Sequence, residues 1–412
     1  MATLMVGEHG KWPAKSDPIF MIAGKAAEAK EKYGADKVIN STLGALMEDD
    51  GSLVAFDSVY STLKNLDNAE IAAYAPIQGT KEFLEAAEEN CFGKYRPDAY
   101  IRAVATPGGT GGVKQAVWNY TNPGDSILTT NWYWSPYNTI TEEIDRGVET
   151  FDIFDEDGNY NLKGLKEKSS DLLEKQKRLL LVLNTPAHNP TGYSVSDDEW
   201  DKIIGFLKEK AENKENKITV LVDAAYIEFA GEKDERKKFF KKFTNLPDNL
   251  FIIVAFSTSK SHTMYGLRSG AVIGISSNEE IVEEFYYACL HTARANWSNG
   301  TRGAMATVAK ITNDDQLRNQ YEEEKSKYKK LLRKRAEAFV EEAEKVGLDI
   351  LPYRDGFFVS IPCDDPQGAS QKLMEENIFV VPLQKGLRFA ICAVSEEKCK
   401  TAPEKIKKVL DK

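Results

Sequence analysis

A lysine and an arginine eight residues apart are the first candidates for chemistry in this sequence. The segment Ser257–Lys260 follows an apolar stretch, and Arg268 lies a few residues further on. A lysine amine can bond covalently to an aldehyde, and a guanidinium can hold a phosphate through paired hydrogen bonds, to which the Ser257 hydroxyl could add. Ligands of α/β proteins bind where buried strands end. The segment is therefore a candidate site for a phosphorylated aldehyde, although a lone lysine in a polar loop is more often simply exposed.

A glycine-rich turn supplies a second candidate phosphate-binding element. Gly108, Gly109 and Thr110 lie in this turn, and helix-compatible residues follow it. A turn of this kind presents free backbone N–H groups and the positive end of the helix dipole to an anion. The glycine spacing does not fit the dinucleotide-binding pattern, and Val113 stands where a nucleotide-binding loop needs a glycine before its lysine. The turn predicts an anion site, with a simple tight turn as the alternative.

Polar residues follow two further apolar segments. Asp223 ends the later of these apolar segments. In a site of low dielectric constant it could pair with a protonated ring nitrogen, which would keep the ring an electron sink. Asn189 and Tyr226 could donate hydrogen bonds to a ring oxygen or to a substrate carboxylate. The structural alternatives are an ordinary turn for Asn189 and a helix N-cap for Asp223.

Composition narrows the classes of protein. The 412 residues suit two domains, and the net charge of −10 disfavours a nucleic-acid-binding protein. No run of 18 apolar residues predicts a membrane span, and no signal peptide is evident. Five scattered cysteines without a CxxC pair predict reduced thiols in a cytoplasmic protein, and the four histidines are not at metal-ligand spacing. We therefore expect a cytoplasmic protein without a metal site.

The elements that must position these residues follow from hydrophobic patterning. Short apolar segments alternate with amphipathic ones through the middle of the chain, which predicts an α/β fold with a largely parallel sheet. After residue 313 a long charged helix with apolar residues at helical spacing precedes a smaller α+β region, and Gly347 is its expected end. We expect residues 1–53 to form an N-terminal arm and part of the small domain, 54–313 the large domain, and 314–412 the small C-terminal domain.

A series of segments, in order along the chain, resembles the class I aminotransferases of the fold-type I family of pyridoxal 5′-phosphate (PLP) enzymes. Aspartate and aromatic amino acid aminotransferases are the nearest members. The resemblance implies a homodimer with shared active sites and a mostly parallel seven-stranded sheet sandwiched by helices, plus the small domain. The segments are Tyr74–Gly79, Gly108–Gly112, Asn131–Trp134, His188–Gly192, Asp223–Tyr226, Ser257–Lys260 with Arg268, Arg294–Asn299 and Arg388.

The same resemblance implies a role for each candidate residue. Lys260 is expected to bind PLP covalently and then, once released by substrate, to move a proton at the substrate Cα, while Asp223 pairs with the ring nitrogen. Arg388 is expected to bind the substrate α-carboxylate, and its place in the small domain would let binding close the cleft. The remaining implied contacts are Asn189 and Tyr226 with the ring oxygen, Trp134 or else Trp132 stacked on the ring, Gly109, Thr110, Ser257 and Arg268 around the phosphate, Tyr74 from the partner subunit at the phosphate, and Gly44 in the segment that covers the substrate.

Three positions depart from the family pattern. Gly108 stands where relatives often have serine, so one phosphate contact is expected to be lost. Tyr137 stands where aspartate-type enzymes commonly have histidine. Leu46 and Met47 give the substrate-covering segment an apolar pair, which predicts wider tolerance for hydrophobic substrates.

Arg294 is the residue that bears on the substrate. In the family pattern this arginine comes from the neighbouring subunit and binds the distal carboxylate of a dicarboxylic substrate, which predicts transfer from aspartate to 2-oxoglutarate. Aromatic aminotransferases keep this arginine and move it aside, so dual acidic and aromatic specificity is the alternative. A lyase or decarboxylase on the same fold is another. A transcription regulator would need an added DNA-binding domain, and a nicotinamide dehydrogenase lacks support because the glycine pattern does not fit.

Overall fold

Two sheets organise the chain in the computed structural model, which describes residues 5–13 and 18–412. The larger sheet has seven strands in the order β2-β8-β7-β6-β5-β3-β4, and β8 runs in the opposite direction to the other six. The smaller sheet has four strands in the order β1-β10-β11-β9. The strands are β1 (Ile39–Ser41), β2 (Tyr100–Thr106), β3 (Ser126–Thr130), β4 (Gly147–Phe151), β5 (Arg178–Asn184), β6 (Lys217–Asp223), β7 (Leu250–Ser257), β8 (Gly270–Ser276), β9 (Phe358–Pro362), β10 (Ile378–Leu383) and β11 (Gly386–Ala390).

The α-helices cover the large sheet and support the small one. They are α1 (Pro18–Tyr33), α2 (Asp57–Lys64), α3 (Asn68–Ala72), α4 (Lys81–Phe92), α5 (Gly108–Tyr120), α6 (Pro136–Glu142), α7 (Leu162–Gln176), α8 (Asp197–Lys210), α9 (Thr258–Ser261), α10 (Glu279–Asn296), α11 (Arg302–Asn313), α12 (Asp315–Val346), α13 (Pro366–Glu375) and α14 (Glu396–Leu410). Within the described residues, no helix is long and apolar enough to cross a membrane.

The central strands are buried on both faces, which explains why they are apolar without alternation. Successive side chains of a strand point to opposite faces. In β7, Ile252 joins a core that includes Trp200 of α8, whereas Ile253 joins a second core with Val113 of α5 and Phe285 of α10. The predicted fold, a mostly parallel seven-stranded sheet between helices, is therefore confirmed.

The small sheet combines segments that are distant along the chain. β1 pairs in parallel with β10, so the segment after the first helix joins the C-terminal strands. The long helix α12 begins at Asp314, whose carboxylate accepts a hydrogen bond from the backbone N–H of Leu317, and it ends at Gly347 in the left-handed conformation. Phe339 of α12 packs on Phe389 of β11 with ring centroids 4.6 Å apart. The N-terminal segment and α12 thus both contact the small sheet, and the division at residues 53 and 313 stays a prediction.

Parallel pairing brings the carboxyl ends of the central strands together. Asn184 at the end of β5 is in register with Asp223 at the end of β6, which is in register with Ala255 of β7. Because β7 continues to Ser257 and into the short helix α9, the candidate residues of three strands meet at one edge of the sheet.

Gly192 is a position where the fold requires a glycine. Its φ is +72°, and an added Cβ would lie 2.3 Å from the Tyr353 ring and 2.6 Å from the Phe358 carbonyl oxygen. We expect Gly192→Ala to lower the free energy of unfolding by about 2 kcal/mol or more, measured by urea denaturation. Gly205, on an exposed face of α8 with no atom near an added Cβ, is the control. Gly205→Ala should be neutral or stabilising, and equal effects of the two changes would contradict the packing argument.

Candidate active site

The glycine-rich turn and Arg268 form one cradle. Gly108 begins α5 with a φ of +71°, and an added Cβ would lie 2.7 Å from Nη2 of Arg268. An added Cβ on Gly109 would lie 3.3 Å from Cβ of Ser257. No side chain caps the start of α5, and Thr110 is exposed in its first turn. Open N–H groups at a helix start, a hydroxyl and a guanidinium therefore converge as an anion site requires.

The glycine at position 108 has a structural cause. A positive φ is costly for residues with a Cβ, and the space beside Gly108 is already filled by the Arg268 guanidinium. A serine in this conformation would be strained and would displace Arg268. Gly108, where relatives often have serine, thus allows Arg268 to lie close to the turn.

Lys260 lies in the short helix α9, directly after β7. Its Nζ is 5.5 Å from the centroid of the Tyr226 ring and 5.4 Å from that of Tyr265. Burial lowers the pKa of Lys260 to about 8, and the positive charge of Arg268 acts in the same direction, while Asp223 opposes the shift. A lowered pKa increases the fraction of neutral amine near pH 7, and the neutral amine is the nucleophile and the base.

Asp223 is buried and receives a hydrogen bond that the sequence did not predict. The Tyr137 hydroxyl donates to Oδ2 of Asp223 at 2.7 Å. Burial raises the pKa of Asp223, and the hydrogen bond from Tyr137 opposes this most, with smaller contributions from the Ala225 backbone and Asn184. The pKa of Tyr137 is itself raised well above its ordinary value, first by burial. Tyr137 therefore stays protonated and remains a donor near neutral pH.

The two candidate tryptophans occupy different places. The Trp134 ring meets the Tyr137 ring edge-on, with centroids 5.5 Å apart, and so lies beside the Tyr137–Asp223 pair. Trp132 is buried, and its ring reaches β11, where an added Cβ on Gly386 would lie 2.7 Å from it. The geometry favours Trp134 as the ring that stacks on a cofactor held by Asp223.

Arg388 joins Asn189 and the N-terminal segment. Its Nη1 donates to Oδ1 of Asn189 at 3.3 Å, and its Nη2 donates to the Thr42 carbonyl oxygen at 2.8 Å. The guanidinium lies 4.4 Å from the centroid of the Phe358 ring. Nδ2 of Asn189 is 3.5 Å from the Tyr226 hydroxyl. The arrangement holds a buried cation beside Asn189 and Tyr226, which suits recognition of a carboxylate.

The covering segment contributes less to the site than its sequence predicted. An added Cβ on Gly44 would lie 3.7 Å from the Tyr226 hydroxyl and 2.7 Å from the Phe358 ring, so Gly44 does lie against the site. Leu46, however, is wholly buried in the core, and Met47 pairs with Leu53 in an isolated bridge. The expectation that Leu46 widens substrate tolerance is therefore wrong, because a side chain without solvent access does not line an open cleft.

Tyr74 and Arg294 lie apart from this cluster. The Tyr74 side chain is 88% exposed, and its carbonyl accepts a hydrogen bond from Arg302. Arg294, exposed at the end of α10, donates to the Ser298 hydroxyl. Both side chains extend from the surface of the chain. The described residues hold no group of three or more His, Cys, Asp or Glu side chains that could bind a metal ion.

Comparisons with known proteins identify the family of this chain. The family described as aminotransferase class I and II matches residues 36–406. The chain belongs to this family. The aspartate aminotransferase of Salmonella typhi is 26% identical over 340 residues, covering 81% of this chain and 82% of that protein. The aromatic-amino-acid aminotransferase of Escherichia coli is 25% identical over 313 residues, covering 73% and 74%.

Solved structures show the same fold. An aminotransferase from Anaerococcus prevotii has a TM-score of 0.97 and 45% identity, with complete coverage of both chains. An aromatic-amino-acid aminotransferase from Burkholderia pseudomallei, covalently bound to PLP, has a TM-score of 0.80 at 21% identity, covering 98% of this chain and 100% of that one. The second likeness bears on the fold alone.

This aminotransferase is a PLP-dependent enzyme, as its family implies, and its residues fit the cofactor. A cradle of N–H groups with Arg268 suits the phosphate, and buried Asp223 suits a protonated ring nitrogen. Lys260, with its lowered pKa, suits the aldehyde. The sequence predicts that these groups lie near the ends of buried strands. It does not predict the hydrogen bond from Tyr137, which stands out only as a departure from the family pattern.

We expect Tyr137→Phe to weaken PLP binding about tenfold, because a hydrogen bond to a charged group is lost without loss of the ring. The change should raise the pKa of Asp223, whose charge exists above that pKa, so the variant should lose PLP at a higher pH than the wild type on acidification. Equilibrium dialysis against PLP over a pH series measures both effects.

Tyr133→Phe is the matched control. Its hydroxyl donates to Asn138 rather than to Asp223, and its ring stacks 6.3 Å from that of Tyr137. If Tyr137→Phe and Tyr133→Phe retain PLP alike across the series, the hydrogen bond to Asp223 does not support the cofactor.

Proposed function

We propose that this aminotransferase transfers the amino group of aspartate, or a related amino acid, to 2-oxoglutarate by a ping-pong mechanism. The observation that carries the proposal is the exposed Arg294, within a segment, Arg294–Asn299, that matches the aspartate aminotransferase pattern. A second arginine, Arg388, is buried beside Asn189. Two guanidinium groups suit the two carboxylates of a dicarboxylic substrate.

Arg388 binds the substrate α-carboxylate in this proposal. Its contacts with Asn189 and with the Thr42 carbonyl fix the guanidinium before substrate arrives, which reduces the ordering cost of binding. Because Arg388 lies in β11 of the small sheet, a bound carboxylate draws that sheet towards the large one. Closure of the cleft would exclude water from the reacting atoms.

Lys260 holds PLP covalently and then carries a proton at the substrate Cα. PLP, when bound, supplies an electron sink that makes this proton removable. With a pKa of about 8, the released Lys260 amine would be able to accept the Cα proton near neutral pH and to act as the proton carrier of the site. Lys260 therefore serves as both the anchor and the base.

The other residues orient the cofactor ring. Asp223, with Tyr137 as its donor, holds the ring nitrogen protonated, and Trp134 stacks on the ring. Asn189 and Tyr226 donate to the ring oxygen, which their 3.5 Å separation permits. Gly109, Thr110, Ser257 and Arg268 bind the phosphate.

We also propose a homodimer with shared active sites. Tyr74 and Arg294 are exposed, and the family pattern places both in the neighbouring subunit's site. Tyr74 would then reach the partner's phosphate cradle, and Arg294 the partner's substrate. We further propose a cytoplasmic location, which the five free thiols support.

Dual specificity for acidic and aromatic substrates is the second candidate. Arg294 is exposed and hydrogen-bonded to Ser298 next to the end of its own helix, so it can rotate away from an apolar side chain at little cost. The relative from Escherichia coli named as an aromatic-amino-acid aminotransferase agrees with this candidate. A lyase or decarboxylase would keep Lys260 and Asp223 but would not need Arg294.

We expect Arg294→Leu to slow the half-reaction with aspartate about 30-fold or more, with little change for phenylalanine, because only aspartate loses a charge-assisted hydrogen bond. Single-turnover absorbance of the enzyme-bound PLP with each amino acid measures this without 2-oxoglutarate, which is itself a dicarboxylate. Arg102→Leu, at an exposed arginine paired with Glu283, is the control. Equal losses with both amino acids would show that Arg294 does not bind the distal carboxylate.

Subunit mixing tests the shared site. Lys260→Ala and Arg294→Leu homodimers should each be poor with aspartate. In a mixed dimer, one site combines Lys260 of one chain with Arg294 of the other, so dissociation and reassociation should restore aspartate turnover. No restoration would place Arg294 in its own chain's site.

A further inference from the structure

A second large cavity lies away from the residues proposed to bind PLP. Its volume is about 1160 Å³, and it is bounded by the end of α4, the 3₁₀ segment Lys233–Phe243, the end of α11 and the first half of α12. Basic side chains outnumber acidic ones along its lining, although the whole chain has a net charge of −10. A basic concavity in an acidic protein concentrates small anions.

The inner wall of the cavity holds a buried carboxylate with an excess of cations. Glu228 accepts Nη2 of Arg236 and Nζ of Lys325 at 2.6 Å each, and Nζ of Lys237 at 3.1 Å. All four side chains are buried. Lys325 has a second carboxylate in Glu322, which is half exposed. Three cations share Glu228 and Glu322, so this wall carries one more positive than negative charge and attracts a further anion.

Lys329 adds a further positive charge to the lining of the cavity. Its Nζ donates to the carbonyl oxygens of Ala230 at 3.3 Å and Gly231 at 2.7 Å. Burial lowers its pKa to about 8, and Arg236 acts in the same direction. The Lys329 ammonium group is thus held by two backbone carbonyl dipoles and lies close to other cations.

The acidic residues of the lining offset part of this charge, and both Glu228 and Glu232 raise the pKa of Lys329. Glu232 bonds to Arg333 at 2.6 Å, and both are largely exposed. Glu89, Asp234 and Glu323 complete the acidic lining. With nine basic and six acidic side chains, the lining as a whole still carries an excess of positive charge.

We propose that this cavity binds a small metabolite with several negative charges, carried by phosphate or carboxylate groups. Arg236 and Lys325 supply a fixed inner wall, and Lys329 and Lys330 supply cations that can reach the ligand. Such groups match guanidinium and ammonium donors by charge-assisted hydrogen bonds. The proposal does not depend on the substrate proposed above.

The cavity is connected to the active site through one side chain. Tyr321 lines the cavity, and the Lys325 Nζ lies 4.5 Å from the centroid of its ring. The Tyr321 hydroxyl donates to the carbonyl oxygen of Ser261, the residue after Lys260, at 2.9 Å. Its ring stacks on His262 with centroids 4.7 Å apart. An anion bound against Lys325 would therefore act, through Tyr321, on the turn that carries Lys260.

Calorimetric titration of the PLP-loaded enzyme tests the proposal, with pyrophosphate and citrate as separate probes and sodium chloride holding the ionic strength at about 0.1 M. Loading with PLP blocks the active-site cradle to pyrophosphate. We expect Lys329→Gln, and independently Lys330→Gln, to raise the Kd of the probe that binds by about tenfold, because each removes one cation without leaving Glu228 unpaired. Tighter binding of pyrophosphate indicates a phosphorylated ligand, and tighter binding of citrate a polycarboxylate.

Lys334→Gln is the matched control, because Lys334 is exposed on α12 outside the cavity, and it should leave the Kd unchanged. The saturating probe should also change the rate of the aspartate half-reaction at least about twofold in the wild type but not in Lys329→Gln. The proposal is overturned if neither probe binds, or if Lys329→Gln and Lys330→Gln bind as the wild type does. A rate unaffected by the bound probe overturns the connection through Tyr321.

Discussion

Asp223 brings a carboxylate into the interior at the end of β6, and the arrangement of the rest of the site follows from that buried charge. Burial opposes the charge of Asp223, so the protein surrounds it with donors, chiefly Tyr137. The same burial lowers the pKa of Lys260 to about 8. One buried environment therefore shifts both pKa values, that of Asp223 upward and that of Lys260 downward.

The fold positions these charges by a general property of parallel sheets. The carboxyl ends of β5, β6 and β7 meet at one edge, so Asn184, Asp223 and Lys260 come together from distant parts of the chain. The small sheet then adds Arg388 from its own strand β11. In the roles proposed above, cofactor-binding and substrate-binding groups come from different sheets, which would couple substrate binding to closure.

The sequence predicted those features that depend on local patterns. Uninterrupted apolar strands indicated the parallel sheet, and the α12 end at Gly347 follows from glycine at a left-handed position. Lys260, Asp223 and Asn189 each followed an apolar segment, so their meeting was foreseeable. The roles assigned to them remain predictions.

Other features depend on tertiary contacts that no local pattern specifies. The hydrogen bond from Tyr137 to Asp223 joins residues 86 positions apart. The burial of Leu46 depends on its packing into the core rather than on its segment. The charges around Glu228 come from the 3₁₀ segment Lys233–Phe243 and from α12, elements far apart along the chain. In the sequence their members look like ordinary surface charges.

The most direct test of the account is to identify the lysine that holds PLP. Borohydride reduction of the purified holoenzyme converts the bond between lysine and cofactor into a stable secondary amine, and peptide mass spectrometry then locates the added mass. The account predicts a single labelled peptide, the one that contains Lys260. A label on another lysine, or a PLP-saturated enzyme without a label, would contradict it.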